Sequence, residues 1–148
     1  MAQMVRTIPD EMISYIGFLH DVIAAYHERL SLVASPKVAG QFLVSIADKE
    51  IRALGLDKGA DPKQMLDSML RNLGMKYQTF KVGEQVVSKL ECPYATAVHP
   101  RISAMHPICP VSILALGTER IRNKTMVITS NHLTRNGAQY TVTPSKST

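Results

Sequence analysis

Four side chains of metal-binding types lie in one short segment of the chain, at Cys92, His99, His106 and Cys109. Thiolates and imidazoles are the ligands that zinc prefers in proteins, and four of them suit its tetrahedral structural sites. The short interval from His106 to Cys109 would let both side chains reach one ion, whereas the two longer intervals match no zinc-finger pattern. The segment therefore predicts that, if a metal binds, it is zinc, with His106 and Cys109 among the ligands. Buried thiols and exposed loop histidines without a metal are the alternative.

The two cysteines are also candidates for redox or nucleophilic chemistry, since each precedes a proline in a segment without clear periodicity. If Cys109 begins a helix, the helix N-terminus would lower its pKa and favour the thiolate. A disulfide would require the two Cα atoms to lie within about 7 Å of each other. Two reduced, unreactive thiols are the alternative. Cys92, Tyr94 and Cys109 are therefore the candidate ligand-binding or redox residues.

Other catalytic patterns are poorly supported. The sequence has no Gly-x-Ser-x-Gly elbow and no Gly-rich phosphate loop. His20 and His27 lie seven residues apart, on one face of a predicted helix. We interpret them as a polar flank of that helix rather than as ligands.

Composition limits the class of protein. The chain has 148 residues, of which 45% are hydrophobic and 20% are charged, and this balance predicts one globular domain over residues 1–148. No apolar run is long enough to cross a membrane, and residues 1–10 lack the apolar core of a secretion signal. Two cysteines are too few for a disulfide scaffold, so a cytoplasmic location is expected.

Charge does not point to nucleic acid as a partner. The formal net charge is +5, but the basic residues are scattered and form no block. The chain has no tryptophan, five tyrosines and three phenylalanines, so it is poorly supplied with side chains for base stacking.

Helical periodicity extends over the N-terminal half of the chain. The helices that it predicts must therefore help to position any site. Apolar residues recur every three or four positions over residues 10–33, and Thr7 is the predicted cap of this helix. Ser35 and Asp61 each precede a proline, which predicts an N-cap followed by the first helical residue. These signals predict further helices over residues 36–54 and 62–73.

Strand periodicity follows Gly74. Alternating residues predict one hairpin over 77–91, with its turn at Gly83-Glu84. Residues 92–107 are predicted to be loop or broken helix, and residues 108–122 a helix. A second hairpin joins 125–134 to 138–143 through Asn136-Gly137, where we expect positive φ at both turn residues. The predicted fold class is α+β: N-terminal helices packed on a four-stranded antiparallel sheet, with a crossover helix between two hairpins. The polar tail, residues 144–148, is expected to be frayed.

Several short features occur in an order that resembles a known family: Ala39-Gly40 in a helix, residues 61–74, Cys92-Pro93-Tyr94, Pro107 to Pro110 opening a helix that contains Gly117, and residues 137–142. From Val38 to Val142 the chain is similar to the 4-vinyl reductase-type ligand-binding domain. That group is also described as hydrocarbon-binding and is related in fold to haem-based nitric-oxide sensors and vesicle-tethering subunits.

The resemblance implies a sensor or carrier that binds an apolar small molecule between the helices and the sheet, with a separate effector protein as a further partner. It also implies that Cys109 corresponds to a zinc ligand of the family. His132 stands in the last hairpin, where zinc-binding members have an acidic residue or a cysteine. The conditional metal set is Cys92, His99, His106, Cys109 and His132. The alternative function is a small metal- or thiol-dependent enzyme that uses the segment from Cys92 to Cys109.

The first helix has apolar residues on two faces. Tyr15, Phe18 and Val22 lie off its main apolar stripe. A helix with a second apolar face usually packs against a partner on both sides. We therefore expect a homodimer with residues 10–33 in its interface.

Overall fold

A computed structural model describes residues 9–102 and 107–145 of the chain. Within these residues it has five α-helices and four strands, in the order α1 (Asp10–Val33), α2 (Pro36–Ala53), α3 (Pro62–Asn72), β1 (Lys76–Val82), β2 (Gln85–Glu91), α4 (Ala95–Val98), α5 (Pro110–Arg122), β3 (Met126–Thr134) and β4 (Gly137–Pro144). Single 3-10 turns occupy Leu56–Lys58 and His99–Arg101. The predicted α+β class is confirmed.

Two of the helices begin where their capping residues predict. The Ser35 Oγ accepts a hydrogen bond from the Val38 N–H at 3.1 Å, and the Asp61 Oδ1 accepts one from the Gln64 N–H at 3.2 Å. Each satisfies a backbone donor that the first helical turn leaves unpaired. Helix α1 begins differently, because Pro9 precedes it and makes no side-chain cap. The predicted cap, Thr7, lies outside the described residues.

The sheet has the strand order β1-β2-β4-β3, and all neighbouring strands are antiparallel. Helix α5 connects the two hairpins. Alternate residues of β4 are buried, namely Ala138, Tyr140 and Val142, whereas Gln139 between them is exposed. Since side chains alternate between the faces of a strand, one face of the sheet packs against the helices and the other faces outward.

The second hairpin forms, but its turn is not the predicted one. Thr134 pairs with Gly137, so the two loop residues are Arg135 and Asn136. In the described part of the chain, positive φ occurs only at Gly55, Gly74 and Gly83, so the expectation of positive φ at Asn136 and Gly137 is wrong.

Gly137 is required for the close packing of β4 against β2 rather than for the turn. A Cβ atom on this residue would lie 1.8 Å from the carbonyl oxygen of Leu90 in β2. The absence of a side chain therefore lets β4 approach β2 closely at this position.

An ion pair joins α2 to α5, close to the first residue of β3. The guanidinium of Arg120 donates to both carboxylate oxygens of Asp48, at 2.9 Å and 3.1 Å. It also donates to the carbonyl oxygens of Lys124 and Met126. Arg120 is buried, so these acceptors replace the water that its charge has lost.

Residues 144 and 145, the start of the predicted tail, are held by the sheet. Strand β4 reaches Pro144, and the Ser145 N–H donates to the Thr125 carbonyl at 2.7 Å, so the expected fraying does not begin at Pro144. Residues 146–148 of the predicted tail lie outside the described part. Among the helices described, none combines the length and the apolar character needed to cross a membrane.

Candidate functional site

A pocket of about 310 Å³ lies where α1, the end of β2 and the start of α5 meet, and we call it the cysteine pocket. Helix α1 contributes Met12, Ile16 and His20 to its wall. The rest of the wall comes from the end of α3, the end of β2, α4 and its flanking residues, the start of α5 and the start of β4: Leu73, Met75, Leu90, Cys92, Tyr94, Ala95, Val98, His99, Cys109, Pro110, Val111 and Gly137. Most of these side chains are apolar, so the pocket suits a ligand with a large apolar surface.

The three residues proposed from the sequence as ligand-binding or redox candidates all line this pocket. Cys92 directly follows β2, and its N–H donates to the Asn136 carbonyl at 2.7 Å. The Tyr94 hydroxyl donates to the Leu73 carbonyl at 3.0 Å, which ties this loop to the end of α3. Cys109 is the residue that precedes the first turn of α5. The fold therefore brings Cys92, Tyr94 and Cys109 to one cavity.

Of the two alternatives left open for Cys109, the structure favours the protonated thiol over the thiolate. Burial raises the pKa of the Cys109 thiol to about 11, and the nearby Cys92 acts in the same direction. The N–H groups of Val111 and Ser112 at the helix start favour the thiolate, as predicted, but desolvation outweighs them. Burial also raises the pKa of Cys92. Both cysteines are free, and at neutral pH both are protonated thiols.

A short chain of hydrogen bonds holds the start of α5 in place. The Asn131 amide of β3 donates to the Ser112 Oγ at 2.6 Å, and that hydroxyl donates to the Cys109 carbonyl at 2.5 Å. Ser112 is fully buried. The orientation of Cys109 therefore depends on β3 as well as on its own helix, and the sequence carries no local sign of this link.

Two histidines also line the pocket. His99 lies in the 3-10 turn after α4, and its Nδ1 is 3.0 Å from the Thr134 carbonyl oxygen. The Nδ1 of His20 is 2.9 Å from the carbonyl oxygen of Ile16. The sequence interpretation treated His20 as a polar flank of α1, but it belongs to the pocket wall. Its spacing of four and eight residues from Ile16 and Met12 was a usable signal, because such residues share a helix face.

The conditional metal set is only partly assembled. Cys92, His99 and Cys109 line one pocket, whereas His132 is exposed on β3 opposite Gln139, on the outward face of the sheet. His106 lies outside the described residues. Within residues 9–102 and 107–145, no three His, Cys, Asp or Glu side chains are grouped closely enough to hold a metal ion. A zinc site therefore remains a prediction.

Comparison with known proteins found no match. No protein-family model matches the chain, and neither a curated protein nor a solved structure matches it.

Proposed function

We propose that this domain binds a compact apolar molecule in the cysteine pocket and acts as a sensor or carrier. The observation that carries the proposal is the pocket itself, which has an almost wholly apolar wall built from α1, β2 and α5. Ligand pockets commonly measure about 300–1,000 Å³, so a volume of about 310 Å³ favours a small ligand. The resemblance to 4-vinyl reductase-type domains favours the same function.

A thiol-dependent enzyme is the weaker hypothesis. The nucleophile in cysteine chemistry is the thiolate. With a pKa of about 11, Cys109 would be ionised in only about one molecule in ten thousand at pH 7. The same protonated thiols still contribute polarizable, largely apolar surface to a binding pocket.

Filling the pocket with a larger side chain should weaken ligand binding. We expect Val111→Phe to place a ring in the cavity and to weaken binding of the neutral fluorophore 1-aminoanthracene at least about tenfold, since the two would compete for one volume. Fluorescence titration of the purified protein measures this. Val82→Phe is the matched control, because Val82 is 60% exposed and lies at the end of β1, away from the pocket wall. Equal affinities of the two variants would contradict the assignment of the pocket.

We also propose that the protein is a homodimer formed through α1. On α1, Tyr15 and Phe18 lie three residues apart, on one side of the helix, and are 61% and 60% exposed. Val22, the third residue of the predicted second face, is half-buried. Large exposed aromatic side chains on one helix face are typical of an interaction surface. The same face of a second copy would cover them around a two-fold axis.

We further propose that the ligand signal passes to a separate effector protein. Both thiols are free, which is consistent with a reducing compartment such as the cytoplasm.

A charge on this face should separate the protomers. We expect the wild type to sediment as a dimer at micromolar concentration and Phe18→Glu to weaken the dimer about thirtyfold or more, because a buried carboxylate would replace an aromatic anchor. Phe80→Glu is the control, since Phe80 is also exposed, at 48%, but lies on β1. A monomeric wild type, or dissociation by Phe80→Glu alone, would refute this interface.

A further inference from the structure

The tautomers of the two pocket histidines follow from their partners. The Nδ1 atoms of His20 and His99 each lie within hydrogen-bond distance of a backbone carbonyl, at 2.9 Å and 3.0 Å. A carbonyl oxygen can only accept, so Nδ1 must carry the proton in both rings. In a neutral imidazole with a protonated Nδ1, the Nε2 atom is a hydrogen-bond acceptor. His20 and His99 both line the cysteine pocket, and in the neutral form of each ring Nε2 is left as an acceptor.

The surroundings favour the neutral form of His20. Burial lowers its pKa, and the nearby His99 acts in the same direction, while the Ile16 carbonyl and Asp21 oppose the shift. Among the described residues, the hydrogen bonds of His20 and His99 are those of their Nδ1 atoms. The two pocket thiols are weak donors. A ligand that fills the pocket would displace water from these rings, so a donor on the ligand is needed to keep the acceptors paired.

We propose that the ligand of the cysteine pocket carries a neutral hydroxyl or N–H group, which His20 and His99 recognise as acceptors through Nε2. This inference rests on the proposed function and narrows it. The ligand class is a compact apolar alcohol or N–H compound rather than a pure hydrocarbon. A carboxylate is disfavoured, because a neutral ring with its Nδ1–H already committed has no second N–H to offer.

The same histidine geometry also occurs in metal sites, where the ring nitrogen that does not bind the metal often donates to a carbonyl. In the part of the chain that the structure describes, no cluster of three or more suitable ligands accompanies these rings. The proposal takes the organic donor as the occupant, and metal binding is an outcome of the test.

Matched probes test the donor requirement directly. Cyclohexylmethanol, its methyl ether and cyclohexanecarboxylate have similar apolar bodies and differ in the polar group. We expect the alcohol to bind at pH 7.5 about three- to tenfold more tightly than the ether, as one net hydrogen bond predicts, and the carboxylate to bind most weakly. Titration of backbone amide NMR signals gives the three dissociation constants and shows whether pocket residues respond.

Variants identify the acceptors. His20→Phe and His99→Phe should each reduce the ratio of alcohol to ether affinity, because each removes an acceptor and keeps a ring of similar size. His20→Gln keeps an acceptor oxygen and should keep part of the preference, which also serves if His20→Phe fails to fold. His132→Phe is the control, since His132 is exposed on the outward face of the sheet.

The outcomes separate this inference from the function on which it rests. If the alcohol and the ether bind equally at the pocket, or if the preference survives both phenylalanine variants, the donor requirement is wrong and the apolar pocket stands. If none of the probes shifts pocket amides, the pocket function fails with it. If one equivalent of Zn²⁺ shifts the Nε2 signals of both rings and blocks the alcohol, the histidines serve a metal and the proposal is overturned.

Discussion

Gly137→Ala is expected to lower the free energy of unfolding by about 3 kcal/mol or more. The added Cβ would lie 1.8 Å from the Leu90 carbonyl oxygen and 2.7 Å from its carbonyl carbon. These atoms belong to the backbone of β2 and cannot rotate away. The two central strands would have to separate where β4 begins. Because Gly137 also lines the cysteine pocket, the same change should disturb ligand binding.

Urea denaturation of Gly137→Ala and Gly40→Ala provides the matched comparison. Gly40 lies inside α2, and a Cβ there would meet nothing within 4 Å. Alanine is the better helix former by about 1 kcal/mol, so Gly40→Ala should leave stability unchanged or raise it. If Gly137→Ala is as stable as Gly40→Ala, the strands have room for a side chain and the close approach does not explain this glycine.

The second large effect is expected at the ion pair between α2 and α5. We expect Asp48→Asn to lower the free energy of unfolding by about 2–4 kcal/mol, because it leaves the buried guanidinium of Arg120 without its carboxylate. The two backbone carbonyls that also accept from Arg120 keep the loss from being larger. Arg120→Met should cost less than Asp48→Asn, since it removes the buried charge itself and leaves the Asp48 carboxylate, which is 31% exposed, to water.

At low pH, the wild type and Asp48→Asn should have the same free energy of unfolding. The hydrogen bonds and charge of Arg120 hold the pKa of Asp48 below its ordinary value. A depressed pKa in the folded state contributes stability that is fully present above the unfolded pKa of about 4 and is lost as the pH falls through the folded value. Thermal melts from pH 7 down to pH 2 should therefore show the two curves converging.

Asp67→Asn is the control for this experiment. Asp67 pairs with Arg71 at 3.0 Å within α3, but the Arg71 side chain is 72% exposed. An exposed pair of this kind contributes about 0.5 kcal/mol or less. Equal losses from Asp48→Asn and Asp67→Asn would show that burial of Arg120 does not decide the energy.

Local features of the fold could be predicted from the sequence because their causes lie within a few residues. Ser35 and Asp61 cap helices through N–H groups three residues away. The turn at Gly83-Glu84 was predicted from its position between two alternating segments. The structure has a two-residue loop there, with a φ of 63° at Gly83. The alternation itself predicted the strands of the first hairpin, since successive side chains of a strand point to opposite faces of the sheet.

The site could be predicted in part for the same reason. Cys92, Tyr94 and Cys109 stand out by type and by their position between a strand and a helix, and the fold brings all three to one pocket. The pocket contribution of His20 escaped the sequence interpretation, although its helical spacing from Ile16 was visible. A polar residue among apolar ones on a helix face is equally consistent with a flank, and only the packing of α1 against the segment after β2 distinguishes the two.

The protonation of Cys109 and the role of Gly137 were decided by tertiary structure alone. The helix start that favours a Cys109 thiolate is a local feature, but the opposing desolvation comes from strands and helices distant in sequence, and it is the larger effect. The Asn136-Gly137 pair predicted a hairpin correctly, yet its glycine is required by the Leu90 backbone rather than by the turn. A sequence shows local conformational preferences directly. The solvation of a side chain and the space around it depend on which distant segments of the chain lie near it. Those segments come together only when the protein folds.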